Sequence, residues 1–404
     1  MPKSGVERAV DREELVCALR QAMTIELASM LQYLYAAYSV PTRQAGLAAV
    51  RSGDWTPKQL ALACGDGGAS AGEGMRGTLL RAARDEMTHF LIVNHVLMAV
   101  GEPFHLPAID FGAINGEVPV PLDLALEAFG IGSAHRFAEV ERTGGVTGAI
   151  EFAERSRDGE RTGWGHSSLG ELYAGIRAGL RRIRGPFPVS GRWGERSSFR
   201  CGHQPSVVDD LTSALFAIDA VTGPAEGIGH RAEETHHAVF LRLTRLLAAD
   251  PTWRPAYPVL RNPTLHAGDR AREQVTDPYA RRVMGLFNDA YSMMLWLMAA
   301  RFGARADPRL PYLRDAVDVL TGVMRPLAEL LVTMPSGRQG RTAGPSFELD
   351  LQPGPPACPD IAARTTALGF DDIAREAAEC PLVPNGVAEL SARLGEHYKG
   401  GEAV

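Results

Sequence analysis

The sequence predicts an all-α protein built around a four-helix bundle, with additional helices and long inserted loops. Four segments place apolar residues alternately three and four positions apart, as on the buried face of an amphipathic helix. Single carboxylate or imidazole side chains interrupt three of these apolar faces. Segments rich in glycine and proline separate the helical segments and predict turns and loops.

The composition is that of a globular protein and argues against several other classes. With 404 residues and 45% hydrophobic content, the chain can bury a large core or form two domains. A net charge of −6 without a basic block argues against nucleic acid as a partner. Apolar runs are too short to span a membrane, and residues 1–5 do not resemble a signal peptide. The five cysteines form no C-x-x-C pair, so we expect reduced thiols in a cytoplasmic protein.

The first predicted helix runs from about Arg12 to Ser39 and ends before Pro41, which stops it. Its apolar face is formed by Leu15, Leu19, Ala22, Glu26, Met30, Tyr33 and Ala37. Glu26 is the only charged residue on that face. A charged residue on an otherwise apolar helix face is uncommon and indicates that a specific partner neutralises it. Both a metal ligand and a buried salt bridge would explain Glu26.

The second predicted helix lies within Leu79 to Val100 and carries a Glu-x-x-His pattern. Its apolar face is formed by Leu79, Ala83, Glu86, Phe90, Val93, Leu97 and Val100. His89 lies one turn after Glu86, on the same side. A buried carboxylate and imidazole need a partner, and bundle-type di-metal proteins use this unit to bind metal. A single match is also explained by a surface carboxylate and a hydrogen-bonded histidine.

The chain between the second and third helices is predicted to be a loop-rich insertion at about 104–205. Residues 104–121 show little helical periodicity, and residues 142–166 are polar and rich in glycine. Short helices are expected only within 122–141 and 168–183. Because loops of such length are usually functional or disordered, we expect the insertion to form a wall or lid of a substrate pocket.

The third and fourth predicted helices supply the remaining candidate ligands. The third carries Val208, Leu211, Leu215, Ile218 and Thr222, and its end near Pro224 places Glu226 at the helix terminus. The fourth carries Glu233, His236, Phe240, Leu243 and Leu247. Glu233 and His236 therefore form a second Glu-x-x-His pattern. Glu234 and His237 form a competing pair, but the apolar face continues from His236 and leaves His237 at the rim.

Two further helices are predicted within 280–302 and 313–333. Asn288 and Tyr291 lie on the first of them as candidate hydrogen-bond donors near the bundle centre, and a satisfied polar core explains them equally well. From Pro335 the sequence is rich in proline and glycine. We therefore predict a helical bundle over residues 1–340 and a C-terminal extension, residues 341–404, that packs on it.

The candidate ligands together match the set that holds two metal ions in a bundle. They are Glu26, Glu86, His89, Glu226, Glu233 and His236. Four carboxylates and two imidazoles are the dinuclear set, and four negative charges nearly balance two divalent ions. Oxygen and imidazole ligands favour two Fe ions, with Mn as the alternative. Tyr33, His237, Asn288 and Tyr291 are candidates to surround these ligands.

Motifs around these positions resemble one known family. They are Thr24–Ala28, Tyr33–Val40, Asp85–Phe90, Gly101–Pro103, Leu169–Tyr173, Glu226–Gly227, Thr235–His237, Leu286–Ser292 and Ala343–Glu348. Over roughly residues 12–350 the chain is similar to the VioB-type ferritin-like family, the iminophenyl-pyruvate dimer synthase-like domain. Where that family often has Gln-Gly-Glu-Gly, this chain has Pro224-Ala225-Glu226-Gly227. The resemblance implies a ferritin-like fold and a metal site, but fold alone does not define the substrate.

The function expected from these features is that of a non-haem di-iron oxidase or oxygenase. We expect it to use O₂ or peroxide on a small amino-acid-derived substrate, such as an imine, in secondary metabolism. The alternatives are a ferritin-like iron-binding or ferroxidase protein and a metal-free helical scaffold. Expected partners are the small-molecule substrate and O₂, without nucleic acid or membrane, and a homodimer is one assembly open to the chain.

Overall fold

The computed structural model describes residues 5–65, 73–142, 166, 168–183, 187, 208–222, 235–302, 311–350 and 358–399. Within these ranges most of the regular structure is helical. The helices are α1 (Gly5–Ser39), α2 (Arg43–Ser52), α3 (Pro57–Cys64), α4 (Gly74–Ala99), α5 (Ile114–Glu117), α6 (Ile131–Val140), α7 (Leu169–Arg182), α8 (Leu211–Thr222), α9 (His236–Ala248), α10 (Pro278–Arg301), α11 (Tyr312–Val319), a π-helical turn (Leu320–Met324), α12 (Arg325–Leu331), α13 (Pro359–Ala378) and α14 (Asn385–Lys399). The strands β1 (Pro263–Thr264) and β2 (Glu273–Gln274) form one short parallel pair.

Helices α1, α4, α6 and α9 form the bundle. The pair α1 and α4 makes the most extensive helix contact, and α6 packs along α9. An aromatic cluster joins the two pairs, because the ring of Tyr33 on α1 lies 4.8 Å from that of Phe137 and 5.0 Å from that of Phe240. All three rings are fully buried. The prediction of an all-α, ferritin-like four-helix bundle is confirmed.

Among the described residues, the main helix partner of α9 is not the predicted third helix. The sequence predicts the segment around 208–222 as third helix, but that segment is α8, which packs against α4 and α7. The main partner of α9 is α6, inside the region predicted to be loop-rich. At ten residues, α6 is too short to show a long apolar periodicity. Helices α2 and α3, with ten and eight residues, are likewise too short to show such periodicity.

Helix α7 packs along α1 and also contacts α8. Its first turn is capped by Ser168, whose hydroxyl accepts a hydrogen bond from the Glu171 N–H. Gly179 allows a close approach, since a Cβ atom there would lie 3.2 Å from Cδ1 of Leu15. The cap and this close contact fix the position of α7, and hence of Tyr173 in its first half, against α1.

A second helical layer is organised around α10. This helix packs against α11, the π-helical turn, α12 and α13. The π-helical turn precedes Pro326, which has no N–H to bond to the carbonyl of Gly322, and the Arg325 N–H bonds to Leu320 O instead. Helices α13 and α14 pack on each other, on α10 and on the π-helical turn. The described contacts of the C-terminal helices therefore lie mainly with this second layer.

A buried ion pair holds the extended segments between the two layers. The side chains of Arg272 and Glu348 are 9% and 8% exposed, and Arg272 Nη1 lies 2.5 Å from Glu348 Oε1. Glu348 also accepts hydrogen bonds from the Thr264 hydroxyl and, at 3.0 Å, from the Leu265 N–H. Arg272 reaches Asp110 at 2.7 Å. Three distant stretches of chain are thus joined through one arginine and one glutamate.

No helix among the described residues is long and apolar enough to cross a membrane.

Candidate metal centre

The bundle brings together two adjacent groups of potential metal ligands. One consists of Glu26, Glu86 and His89, and the other of Glu86, Glu141 and His236. Within each group the ligand atoms lie within 4.8 Å of one another. Glu86 belongs to both groups, so the five residues form one continuous cluster. Helices α1 and α4, the end of α6 and the start of α9 each contribute to it.

Glu86 lies at the middle of the cluster with its two oxygens facing different imidazoles. Its Oε2 lies 3.5 Å from His89 Nδ1, and its Oε1 lies 2.9 Å from His236 Nδ1. The side chain is 4% exposed. Despite the short distance, Oε1 has no hydrogen bond of normal geometry within the described part of the chain. Each of its two oxygens could therefore serve as a ligand on a different side of the cluster.

Glu26 divides its oxygens between the cluster and a tyrosine. Its Oε2 lies 3.4 Å from His89 Nδ1. Its Oε1 accepts a hydrogen bond from the hydroxyl of Tyr173 on α7. The Glu26 side chain is 2% exposed, so this contact takes place out of water. One oxygen of Glu26 therefore remains to serve as a ligand.

Glu141 and His236 form the matching pair on the other side of Glu86. Glu141 Oε2 lies 3.8 Å from His236 Nδ1, and its Oε1 accepts a hydrogen bond from the Tyr33 hydroxyl. The second ring nitrogen of His236, Nε2, lies 3.3 Å from Asp85 Oδ2. A carboxylate at one imidazole nitrogen fixes the tautomer and directs the other nitrogen towards a metal. His236 Nδ1 is thus the atom available for coordination.

The carboxylates and imidazoles of the cluster shift one another's pKa values. Burial and the charge of Glu86 raise the pKa of Glu26 to about 8. Burial opposes the charged form of both imidazoles, but the neighbouring carboxylates outweigh it and raise the pKa of His89 to about 10 and that of His236 to about 11. The imidazoles in turn lower the pKa of Glu86, against its burial and the charge of Glu141. Metal ions would displace these protons, since metal ligands bind in their deprotonated forms.

The donor set fits two divalent ions. Three carboxylates and two imidazoles direct their ligand atoms at one another, and Glu86 Oε1 is a buried acceptor left without a hydrogen bond of normal geometry among the described residues. An ion on the His236 side of Glu86 would give that oxygen a partner, and two divalent ions would neutralise the three carboxylate charges. Oxygen and nitrogen donors favour Fe or Mn over metals that prefer thiolates.

The structure brings together four of the six predicted ligands. They are Glu26, Glu86, His89 and His236. The other two, Glu226 and Glu233, lie outside the described residues, as does the competing Glu234, and their assignment stays a prediction.

Glu141 is a member of the cluster that sequence reasoning missed. It directly follows α6, and Ala134, Phe137 and Glu141 repeat the spacing of three and four found on the other helices. This periodic pattern covers only three positions and is followed by a glycine-rich sequence, so it does not by itself predict a bundle helix.

Two of the residues expected around the ligands do lie beside the cluster. Tyr33 donates its hydroxyl hydrogen bond to Glu141. His237 points away from Glu86, and its Nδ1 lies 2.7 Å from the carbonyl oxygen of Ala138 on α6. Within the described residues, His236 is therefore the histidine of α9 that faces Glu86.

The other two expected residues, Asn288 and Tyr291, are not brought to the cluster. The Asn288 amide exchanges hydrogen bonds with the Ser346 hydroxyl at 2.9 and 3.1 Å. Tyr291 packs edge-on against Phe347, with ring centroids 5.4 Å apart. Both lie on α10, whose main helix neighbours belong to the second layer. The buried face of α10 points at that layer and not at the metal-binding residues.

The fold is a helical bundle, and its cluster of carboxylate and imidazole side chains could hold metal ions. The ferritin-like family matches residues 19–246, a span that contains all five residues of the cluster. The chain belongs to the ferritin-like family.

Two curated relatives match nearly the whole chain. The chain is 51% identical over 417 residues to dichlorochromopyrrolate synthase of Lentzea aerocolonigenes, covering 96% of this chain and 41% of that protein. It is 35% identical over 378 residues to 2-imino-3-(indol-3-yl)propanoate dimerase of Chromobacterium violaceum, covering 88% of this chain and 35% of that protein. The resemblance predicted from the sequence motifs is confirmed. The chain spans about two fifths or less of the length of these relatives.

A solved ferritin-like protein from Caulobacter vibrioides is also similar in structure. The TM-score is 0.46 and the sequence identity 17%, with 79% of this chain and 96% of that chain covered.

Proposed function

We propose that this protein is a non-haem di-iron oxidase that acts on an indole-bearing imino acid, derived from an amino acid, in secondary metabolism. The observation that carries the proposal is Glu86, whose oxygens face His89 and His236 separately. Support for the substrate class comes from the two relatives, one named for an indole-bearing imino acid and the other for a chromopyrrolate.

Each side of the cluster would hold one ion with this chain's own ligands. Glu26 and His89 provide the ligands of one ion, Glu141 and His236 those of the other, and Glu86 spans both. When bound, two iron ions, or manganese in their place, would supply redox chemistry with O₂ or peroxide. Tyr33 and Asp85 hold Glu141 and His236 in the orientation that presents one donor atom of each.

Substrate would approach from the side of the imidazoles. The side chains of His89 and His236 are 20% and 19% exposed, whereas those of Glu26 and Glu86 are 2% and 4% exposed. Asp85, with its side chain 33% exposed, borders the same side. Its carboxylate offers an acceptor for the N–H of an imine there. The apolar core closes the opposite side and excludes water from the carboxylates.

The proposed reaction is the oxidative joining of two imino acid molecules. Two C–H bonds break and one C–C bond forms, so that two protons and two electrons leave the substrates. O₂ accepts them and becomes hydrogen peroxide, or peroxide accepts them and becomes water. The buried cluster keeps the reacting carbon atoms out of bulk solvent, where imines hydrolyse.

The test uses the protein loaded anaerobically with Fe(II) and an imine generated in situ from tryptophan by an amino-acid oxidase. We expect an iron-dependent product whose mass is that of two imines less two hydrogen atoms. Parallel reactions with and without catalase distinguish O₂ from peroxide as the oxidant. The matched control is Glu86→Gln, which keeps the side-chain volume but removes the bridging charge.

Two outcomes would contradict the proposal. Protein that binds two irons but consumes the imine no faster than a protein-free control is not an oxidase of this substrate class. Retention of far more than two irons per chain in a large oligomer would instead favour a ferritin-like iron-binding or ferroxidase role.

A further inference from the structure

Helix α7 contributes a side chain to the cluster although it is not one of the four bundle helices. Tyr173 on α7 is 2% exposed, and its hydroxyl donates a hydrogen bond to Glu26 Oε1. It is the last residue of the Leu169–Tyr173 motif, to which the ligand set alone gives no role. The contact therefore connects a helix of the predicted insertion directly to a candidate metal ligand.

The hydrogen bond decides how many oxygens Glu26 can offer. A free carboxylate presents two oxygens and can bind one ion through both. Here Oε1 is held by the phenol, while Oε2 lies 3.4 Å from His89 Nδ1 and faces the cluster. Only Oε2 is directed at the position between Glu26 and His89 where an ion would sit.

We propose that Tyr173 is a positioning residue that restricts Glu26 to coordination through a single oxygen. This inference rests on the proposed metal centre. It holds that a residue of α7 controls the coordination of one of the two ions. Groups that hydrogen-bond to metal ligands commonly change metal affinity by about 10–100-fold when removed. Tyr173 should therefore set the affinity and coordination number of the ion held by Glu26 and His89.

The surroundings of Tyr173 suit a fixed orientation. Leu172 and Ile176 are fully buried on the same helix, and Gly179 lies against Leu15 of α1. Ser168 caps the helix start. A rotation of α7 that withdrew the phenol would have to break this packing, so the hydroxyl stays on Glu26 Oε1.

The test is a titration of the metal-free protein with Co(II), in which calorimetry measures the Kd values and visible absorption reports the coordination of the ions. For Tyr173→Phe we expect two ions per chain, one with unchanged Kd and one bound about 10–100-fold more weakly. The visible absorption of the Co(II) ion bound by Glu26 should shift in this variant, because Glu26 can then bind that ion through both oxygens and raise its coordination number. Tyr35→Phe is the matched control. Tyr35 is also a buried tyrosine, but it lies on α1 and its hydroxyl donates a hydrogen bond to the carbonyl of Leu260.

The outcomes separate this inference from the proposed metal centre. Wild-type protein that binds no Co(II) would contradict the centre itself. Wild-type and Tyr173→Phe proteins with the same two Kd values and the same spectrum would overturn the inference alone. Equal weakening of both ions in Tyr173→Phe and in Ile176→Val would overturn it as well, because it would show an effect of helix packing and not of the hydroxyl.

Discussion

Glu86→Gln should remove metal binding on both sides of the cluster, whereas Glu141→Gln should remove it on one side only. Glu86 is the single residue shared by the two ligand groups. The substitution keeps the shape of the side chain but replaces a buried carboxylate by a neutral amide. Glu141 contributes one oxygen to the His236 side, so its loss leaves the Glu26–His89 side intact.

The size of the effect follows from linkage between metal binding and folding. One ion at a free concentration one hundred times its Kd stabilises the folded state by about 2.7 kcal/mol, so two ions contribute about 5 kcal/mol. With about 2.1 cal/mol/K of unfolding entropy per residue, a chain of 404 residues has about 0.85 kcal/mol/K. Metal should therefore raise Tm by about 6 °C in the wild type, about 3 °C in Glu141→Gln and about 0 °C in Glu86→Gln.

Scanning calorimetry with and without Co(II), in the absence of O₂, measures these shifts. The control is Glu139→Gln, which changes an exposed carboxylate paired with Arg142 only two residues before Glu141. It should retain the wild-type shift. The reasoning is refuted if Glu86→Gln keeps the full shift, or if it loses no more of the shift than Glu141→Gln does.

Three further predictions concern other contacts. His236→Ala should lose metal while His237→Ala retains it, because His237 bonds to the α6 backbone; metal analysis giving the reverse would put Glu234 in place of Glu233 as ligand. Burial and the charge of Arg301 lower the pKa of His95 to about 4. The unfolded chain therefore binds the proton between pH 6.5 and 4, and urea unfolding should show a loss of about 2 kcal/mol from pH 8 to pH 5; His95→Gln should lack this part of the dependence, and an unchanged slope would contradict it. Glu348→Ala should lower the free energy of unfolding by about 1–3 kcal/mol, because Arg272 keeps Asp110 but loses its buried partner, and the Thr264 hydroxyl and the Leu265 N–H lose their acceptor. No measurable loss would contradict that reasoning.

The two longest bundle helices could be predicted because their sequences are long and periodic. Helices α1 and α4 have 35 and 26 residues, enough turns for an apolar face to stand out. The pairing of α9 with α6 could not be predicted, because periodicity identifies a buried face but not the helix that covers it. The same limit applies to Asn288 and Tyr291, which lie on a buried face that another layer covers.

Four residues of the cluster could be predicted because each interrupts or flanks an apolar face. Glu26, Glu86, His89 and His236 are polar side chains at positions where a core residue is expected. Tyr173 gave no such signal, since a tyrosine on a buried helix face is ordinary core and only its hydrogen bond distinguishes it.

The measurement that tests the central claim most directly is the iron content of the purified protein after anaerobic loading with Fe(II) and removal of unbound metal. Two groups of ligands that share Glu86 predict about two irons per chain. One iron per chain would contradict the dinuclear centre and indicate a mononuclear site. No iron would contradict the metal centre altogether and leave a helical bundle whose buried carboxylates are balanced only by protons on His89 and His236.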